Sequence, residues 1–218
     1  MTGMVTEKRV RLSPEARRAQ LIELGVEMLA TRTLDELSVE AIAQQAGISR
    51  GLLFHYFSSK QEFHLEVARA AAQELLRRTE PDPALSPVDA LYGSLTAFVD
   101  YVEENPDNYC SLVRGAASGD AEMRAIFDET RASMAGRVIT IVGDMGVAMG
   151  PRAQLAVQGW IAFAEACVIG WLDTRAFERE HLLDLLTKAL PAVVRASSDE
   201  GVGPFVAILA AQAAIAGE

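Results

Sequence analysis

Side chains able to do chemistry are sparse in this sequence and unevenly placed. His64 and His181 have no Ser or Cys neighbour and no metal-ligand spacing, so neither a nucleophilic triad nor a metal site is expected. Cys110 and Cys167 lie far apart and match no metal or redox pattern; they read as buried free thiols of a reducing compartment. No catalytic residue and no cofactor is expected. What stands out is the run Ser49-Arg50-Gly51-Leu52-Leu53-Phe54-His55-Tyr56-Phe57. Leu53 and Phe57 share one helical face, which leaves Arg50, Gly51, Phe54 and His55 pointing outward. An exposed Phe beside Arg and His at a helix N-terminus is wasteful on an ordinary surface. It suits a helix whose first turn enters the major groove of DNA. The other conspicuous group is Glu165, which interrupts the apolar run from Trp160 to Trp171. A carboxylate there must face solvent, pair with a base such as Arg114, Arg124 or Arg131, or line a cavity.

The elements that would hold the first of these groups are short helices. Ser38 is placed to cap a helix over 38–45, Gly47 to end it in a left-handed conformation, and Ser49 to cap the next, over 49–56. Two short helices joined by such a turn make a helix-turn-helix. Elsewhere, Ser13-Pro14, Ser86-Pro87 and Asn105-Pro106 set a capping side chain before a proline, and Ser59-x-x-Glu62 reads as a capping box. Apolar residues recur at three and four, as in Val88, Leu91, Leu95, Phe98 and Val102, and alternating β-branched runs are nearly absent. Helices are expected over about 14–30, 38–45, 49–56, 59–78, 87–104, 106–115, 120–148, 152–173 and 178–195, with a tenth over about 204–216. The fold class is all-α. Thr79-Glu80-Pro81-Asp82-Pro83 cannot continue a helix, which divides the chain into a DNA-binding domain (1–60), a connecting helix and linker (61–80) and a helical body (81–218).

Composition agrees with two functional halves. The 218 residues are 50% hydrophobic and 23% charged, which excludes disorder and fibrous repeats. The net charge of −10 is unpromising for a nucleic-acid binder, yet residues 1–60 sum to +1 and residues 61–218 to −11. Lys8, Arg9, Arg11, Arg17 and Arg18 read equally well as an arm reaching an adjacent groove or as a charged tail. The N-terminus lacks the apolar core of a signal peptide. Gln154–Leu172 and Gly201–Gly217 are too interrupted or too short for a comfortable membrane span. A cytoplasmic protein with no membrane partner is expected.

Over residues 17–67 the sequence resembles the DNA-binding domain of the tetracycline-repressor (TetR) family of bacterial transcription regulators. The resemblance is carried by Met28-Leu29-Ala30, Leu37-Ser38-Val39-Glu40-Ala41-Ile42-Ala43, Ala46-Gly47-Ile48-Ser49 and Leu53-Phe54-His55-Tyr56-Phe57-Ser58-Ser59-Lys60. One departure is Thr33-Leu34, where the family usually has a Gly-aromatic pair. The resemblance implies a three-helix reader, a connecting fourth helix and a C-terminal ligand-binding and dimerisation domain. It puts Arg50, Gly51 and Phe54 at base-reading positions with Ser49 at their edge, and Ser38, His55, Tyr56 and Lys60 at phosphate-gripping ones. Arg there takes a bidentate bond to guanine and Phe covers a thymine methyl. Lys60 would add its charge at the fourth helix's N-terminus.

For the body, the same resemblance implies a homodimer on double-stranded operator DNA, released by a small-molecule effector. The expected cavity lies among the helices over 87–104, 120–148 and 152–173. Tyr92, Phe98, Met123, Phe127, Met134 and Phe163 are its candidate apolar lining, and Tyr109, Arg114 and Glu165 its candidate polar groups. Core packing is the competing reading for the same Met and aromatic residues. The expected dimer face pairs Gly159, Ala162, Ala166 and Gly170 with the stripe Leu182, Leu186, Ala189 and Val193 in a four-helix bundle. Two readings stand against this: a helical ligand-binding or enzymatic protein, and a DNA-binding protein without ligand control.

Overall fold

The computed structural model describes residues 13–29, 32–117 and 120–197. Among them are nine α-helices and no strand: α1 (Pro14–Met28), α2 (Val39–Ala46), α3 (Arg50–Tyr56), α4 (Lys60–Arg78), α5 (Pro87–Glu104), α6 (Pro106–Ala117), α7 (Ala121–Asp144), α8 (Pro151–Thr174) and α9 (Arg179–Ser197). The basic residues 8–12 and the expected tenth helix lie outside the described residues.

Local chemistry fixes most helix ends. Ser13 and Ser86 accept from the amides of Ala16 and Asp89, each at 3.2 Å, with proline in the next position. At α4, Ser59 Oγ accepts from the Glu62 amide at 3.0 Å. The return bond of the expected capping box goes one residue further back, because Glu62 takes both the amide (2.7 Å) and hydroxyl (2.6 Å) of Ser58. Those two bonds hold the Glu62 carboxyl below its ordinary pKa. The expected helix over 120–148 stops four residues early, since Gly146 adopts φ 84° and closes the turn onto Gly143. Thr33-Leu34 opens a single 3₁₀ turn, Leu34–Glu36, in which Glu36 accepts from the Thr33 amide at 2.9 Å and Leu34 is buried. That turn makes the bend for which the family uses its Gly-aromatic pair.

Two apolar cores result. One is built by α5, α7, α8 and α9 and holds Val99, Val142, Val157, Val168 and Val194. The second unites Leu21, Leu29, Ile42, Leu53, Phe57, Phe63 and Val67 of the N-terminal helices with Leu112 of α6 and Met123 and Ile126 of α7. α1 lies close on α4, for a Cβ on Gly25 would stand 2.5 Å from Val67 Cγ2 and 3.0 Å from Phe63 Cζ. Arg18 is consumed here. Its guanidinium pairs with Glu62 and Glu66, each at 3.3 Å, and lies 4.9 Å over the Phe57 ring. It is therefore a strut between α1 and α4 rather than part of a basic arm. By length and composition α8 could cross a membrane, but it buries Val157, Trp160, Ile161, Ala164 and Trp171 in the first core.

Candidate functional site

The N-terminal surface is assembled by three serine caps and one left-handed glycine. Ser38 Oγ accepts from the Ala41 amide (3.1 Å) and starts α2. Gly47, at φ 64°, ψ 35°, ends it, and the Ile48 amide reaches back to the Ala43 carbonyl at 2.9 Å. Ser49 Oγ accepts from the Leu52 amide (3.2 Å) and starts α3. Leu53 and Phe57 then bury completely. Because α3 is anchored on that side, Arg50, Gly51, Phe54 and His55 face solvent as the pattern predicts. Leu52 joins them, 39% exposed like Phe54. Sequence reasoning passed it over because a leucine is assigned to the core by default.

Arg50 Nη1 pairs with Glu40 at 2.9 Å, and its guanidinium carbon lies 5.7 Å from the Phe54 ring centre. Tyr56 is half-buried with His55 edge-on to it, the ring centres 5.5 Å apart. Lys60 is exposed on the first turn of α4. Gly51 is informative for what does not surround it. A Cβ there would meet only Ser49 Oγ, at 4.0 Å. Glycine within a helix costs roughly 0.5–1 kcal/mol relative to alanine, and here the chain's own packing does not require it.

In the body, α5, α7 and α8 line a cavity that opens to solvent. Phe98, Met134 and Glu165 line it as expected, among Leu91, Leu95, Val138, Ile141, Trp160 and Ile161. Glu165 is buried and doubly held: Tyr109 Oη donates to Oε1 at 2.8 Å and Arg131 Nε to Oε2 at 2.7 Å. Arg131 is thus the partner among the three arginines expected. Burial first, then the Glu165 charge, pushes the Tyr109 phenol well above its ordinary pKa.

Several expected lining residues are elsewhere. Tyr109, Met123 and Phe127 border a separate cavity between α4, α5, α6 and α7, with Met123 packed into the second core. Tyr92 and Phe163 are about 40% exposed on α5 and α8, because each falls to the side of its helix's buried stripe. The Arg114 side chain lies outside the described set. Three lining polar residues were missed, Thr79, Ser94 and Arg137. Arg137 had a signal, since it occupies a position three after Met134 and four before Ile141, inside an apolar stripe.

The expected dimer residues divide. Gly159, Ala162, Ala166 and Gly170 are exposed along one side of α8, and a Cβ on either glycine would meet nothing within 4 Å. Leu182 and Leu186 are instead 0% exposed, while Ala189 and Val193 are half-buried against the same core. α9 folds its stripe onto α8 of its own chain, where the Trp160 indole donates to the Leu186 carbonyl at 3.0 Å. Those two leucines cannot reach across a dyad.

Known proteins share this arrangement. Residues 21–67 match the profile described as "Bacterial regulatory proteins, tetR family", and residues 87–193 the "Tetracyclin repressor-like, C-terminal domain". The transcriptional repressor KstR2 of Mycolicibacterium smegmatis is 37% identical over 92 residues, covering 41% of this chain and 45% of the repressor. The chain thus spans about half the length of the KstR2 proteins it matches. The transcriptional activator FasR of the same species is 23% identical over 75% of each chain. A tetR-family regulator of Streptomyces coelicolor superposes with a TM-score of 0.72 at 27% identity, over 95% of this chain and all of that one. The Bacillus subtilis regulator FadR, solved with stearoyl-CoA, shares the fold with a TM-score of 0.59 at 18% identity, over 81% of this chain and 97% of that one. With both halves matched and the helix-turn-helix built as described, this chain belongs to the TetR family of transcriptional regulators, DNA-binding proteins and not enzymes.

Proposed function

We propose that the chain is a cytoplasmic, dimeric repressor that holds a palindromic operator through α3 and releases it when a small, mostly hydrophobic molecule fills the cavity of the body. Residues 1–60 are the reader, 61–80 the connection, and 81–218 the effector and dimer domain. Arg50, Gly51 and Phe54 read bases, with Ser49 at their edge; Ser38, His55, Tyr56 and Lys60 hold phosphates. The observation that carries this reading is the outer face of α3. An arginine, an exposed phenylalanine and a glycine that the protomer does not need are presented together on one turn and a half of helix. A duplex supplies a partner for each of them.

Repression, as opposed to activation, is supported by the 37% identity to the repressor KstR2 over 92 residues. The outer face of α8 supports the dimer. Gly159, Ala162, Ala166 and Gly170 run beside Phe163 and Leu155, both exposed, so a second α8 would find small residues to approach and apolar ones to cover. An effector is supported by the cavity itself and by the fold's capacity for a long ligand, seen in FadR with stearoyl-CoA.

The experiment is selection of bound duplexes from a randomised pool, followed by affinity measurement on the enriched site. A palindrome with half-site centres about one helical turn apart, or a multiple of it, is expected, with affinity falling steeply as salt rises. Enrichment of no common sequence would refute base reading.

A further inference from the structure

Nearly all of the body cavity's wall is apolar, and its one carboxylate, Glu165, is already satisfied by Tyr109 and Arg131. Two other polar groups on that wall are not. Ser94 of α5 has its hydroxyl oxygen shut off from solvent with no hydrogen-bond partner among the described residues. Arg137 of α7 is half-buried and has no carboxylate partner among them. Its Nη1 donates to the Leu76 carbonyl at 2.6 Å and lies 3.4 Å from Thr79 Oγ1, both at the C-terminal end of α4. A guanidinium has five N–H donors in a planar fork that matches a carboxylate, and a carbonyl with a hydroxyl uses few of them. A cation without a counter-ion at an apolar wall is costly, and an orphan hydroxyl beside the same space adds to that cost.

We infer that the cavity takes an apolar molecule ending in a carboxylate, with Arg137 binding the charged end. This rests on the reading of the cavity as an effector site and adds the ligand's chemical class. Cationic ligands are disfavoured, because Glu165 has no charge left to offer. Arg137 also ties α7 to α4, so an anion that draws the guanidinium inward weakens its bond to the Leu76 carbonyl. α4 runs from there to Lys60 beside the reader.

The test loads the full-length protein with the neutral fluorophore phenylnaphthylamine and displaces it with dodecanoate or with dodecanol, equal in chain length and different in charge. Dodecanoate is expected to displace at about tenfold lower concentration, as a charge-assisted bond predicts. Arg137→Gln should erase that preference, and Arg137→Lys should restore part of it. Ala164→Leu, which fills the cavity wall, should weaken fluorophore binding in the otherwise native protein. Dodecanoate no better than dodecanol on the native protein overturns the ligand class, whatever the variants do. Fluorophore binding that Ala164→Leu leaves intact overturns the cavity as the site. Operator affinity, read in parallel, separates this inference from the one beneath it. Dodecanoate held through Arg137 with operator affinity unchanged upholds the ligand class and refutes the effector role.

Discussion

Arg50 has two attachments within its own protomer, and both must be exchanged when it meets DNA. The pair with Glu40 joins two side chains that are each more than 60% exposed, so it is worth about 0.2–1 kcal/mol and yields easily to a base. Arg50→Ala is therefore expected to cost ~1–3 kcal/mol on the selected operator and to relax preference at one position of each half-site. Lys60→Ala should weaken operator and random duplex about equally, because a phosphate contact carries no sequence. Equal losses for both variants, measured by anisotropy on the two duplexes, would strip Arg50 of its reading role. Gly51 gives a test with opposite signs. The protomer has room for a methyl group at that position, so Gly51→Ala should raise stability by roughly 0.5–1 kcal/mol in urea titration while operator affinity falls. A variant that gained on both counts would mean that the duplex never comes close to that backbone.

At the scale of elements, α5 and α6 each bury a tyrosine whose hydroxyl is spent on the interior. Tyr101 donates to the Ala71 carbonyl of α4 at 3.2 Å and Tyr109 to Glu165 of α8. Burial disfavours the phenolate, and it pushes Tyr101 from 10.0 up to about 12. A raised pKa of this kind means that the neutral form is the one the fold holds. The stabilisation is complete below pH 10 and is lost as pH rises through about 12. Alkaline titration should therefore show part of the tyrosinate absorbance appearing together with the loss of helicity. A complete tyrosinate signal before any helicity is lost would refute the packing of these two helices. Elements were also the scale at which the sequence was most legible. Ser-Pro caps and Gly47 act within one turn, so α1 to α5 could be placed from neighbours alone. The cavity and the dimer face depend on what a stripe packs against, which a stripe does not state. Leu182 and Leu186 have the spacing of an interface and of a core alike, and only the turn of α9 back onto α8 decides between them. Arg137 announces itself as a charge inside an apolar stripe, but its bonding partner comes from α4, which that stripe does not state.

For the whole molecule, the outer side of α8 is where assembly can be tested. Phe163, Leu155 and the small residues between them leave apolar surface uncovered in the single chain. Gly170→Arg places a long charged side chain on that side from a position where a Cβ meets no atom of its own protomer within 4 Å. It should leave helicity and thermal unfolding of the protomer close to native while shifting sedimentation from dimer to monomer. Operator affinity should fall with it, since two readers at fixed spacing become two independent ones. A variant that sedimented as a dimer would assign assembly to another face.

The second core has a further implication, for how such proteins diversify. Leu112, Met123 and Ile126 belong by sequence to the effector half, yet they complete the apolar interior of the DNA-reading half. The two halves are therefore not interchangeable cassettes. A chimaera that joined this reader to another regulator's body at the proline-rich linker would leave that interior without Leu112, Met123 and Ile126, unless those three side chains travelled with it. New effector specificities are then most accessible by substitution within α5 and α8, which leave that shared interior alone, and least accessible through the first turns of α7, whose Met123 and Ile126 belong to it.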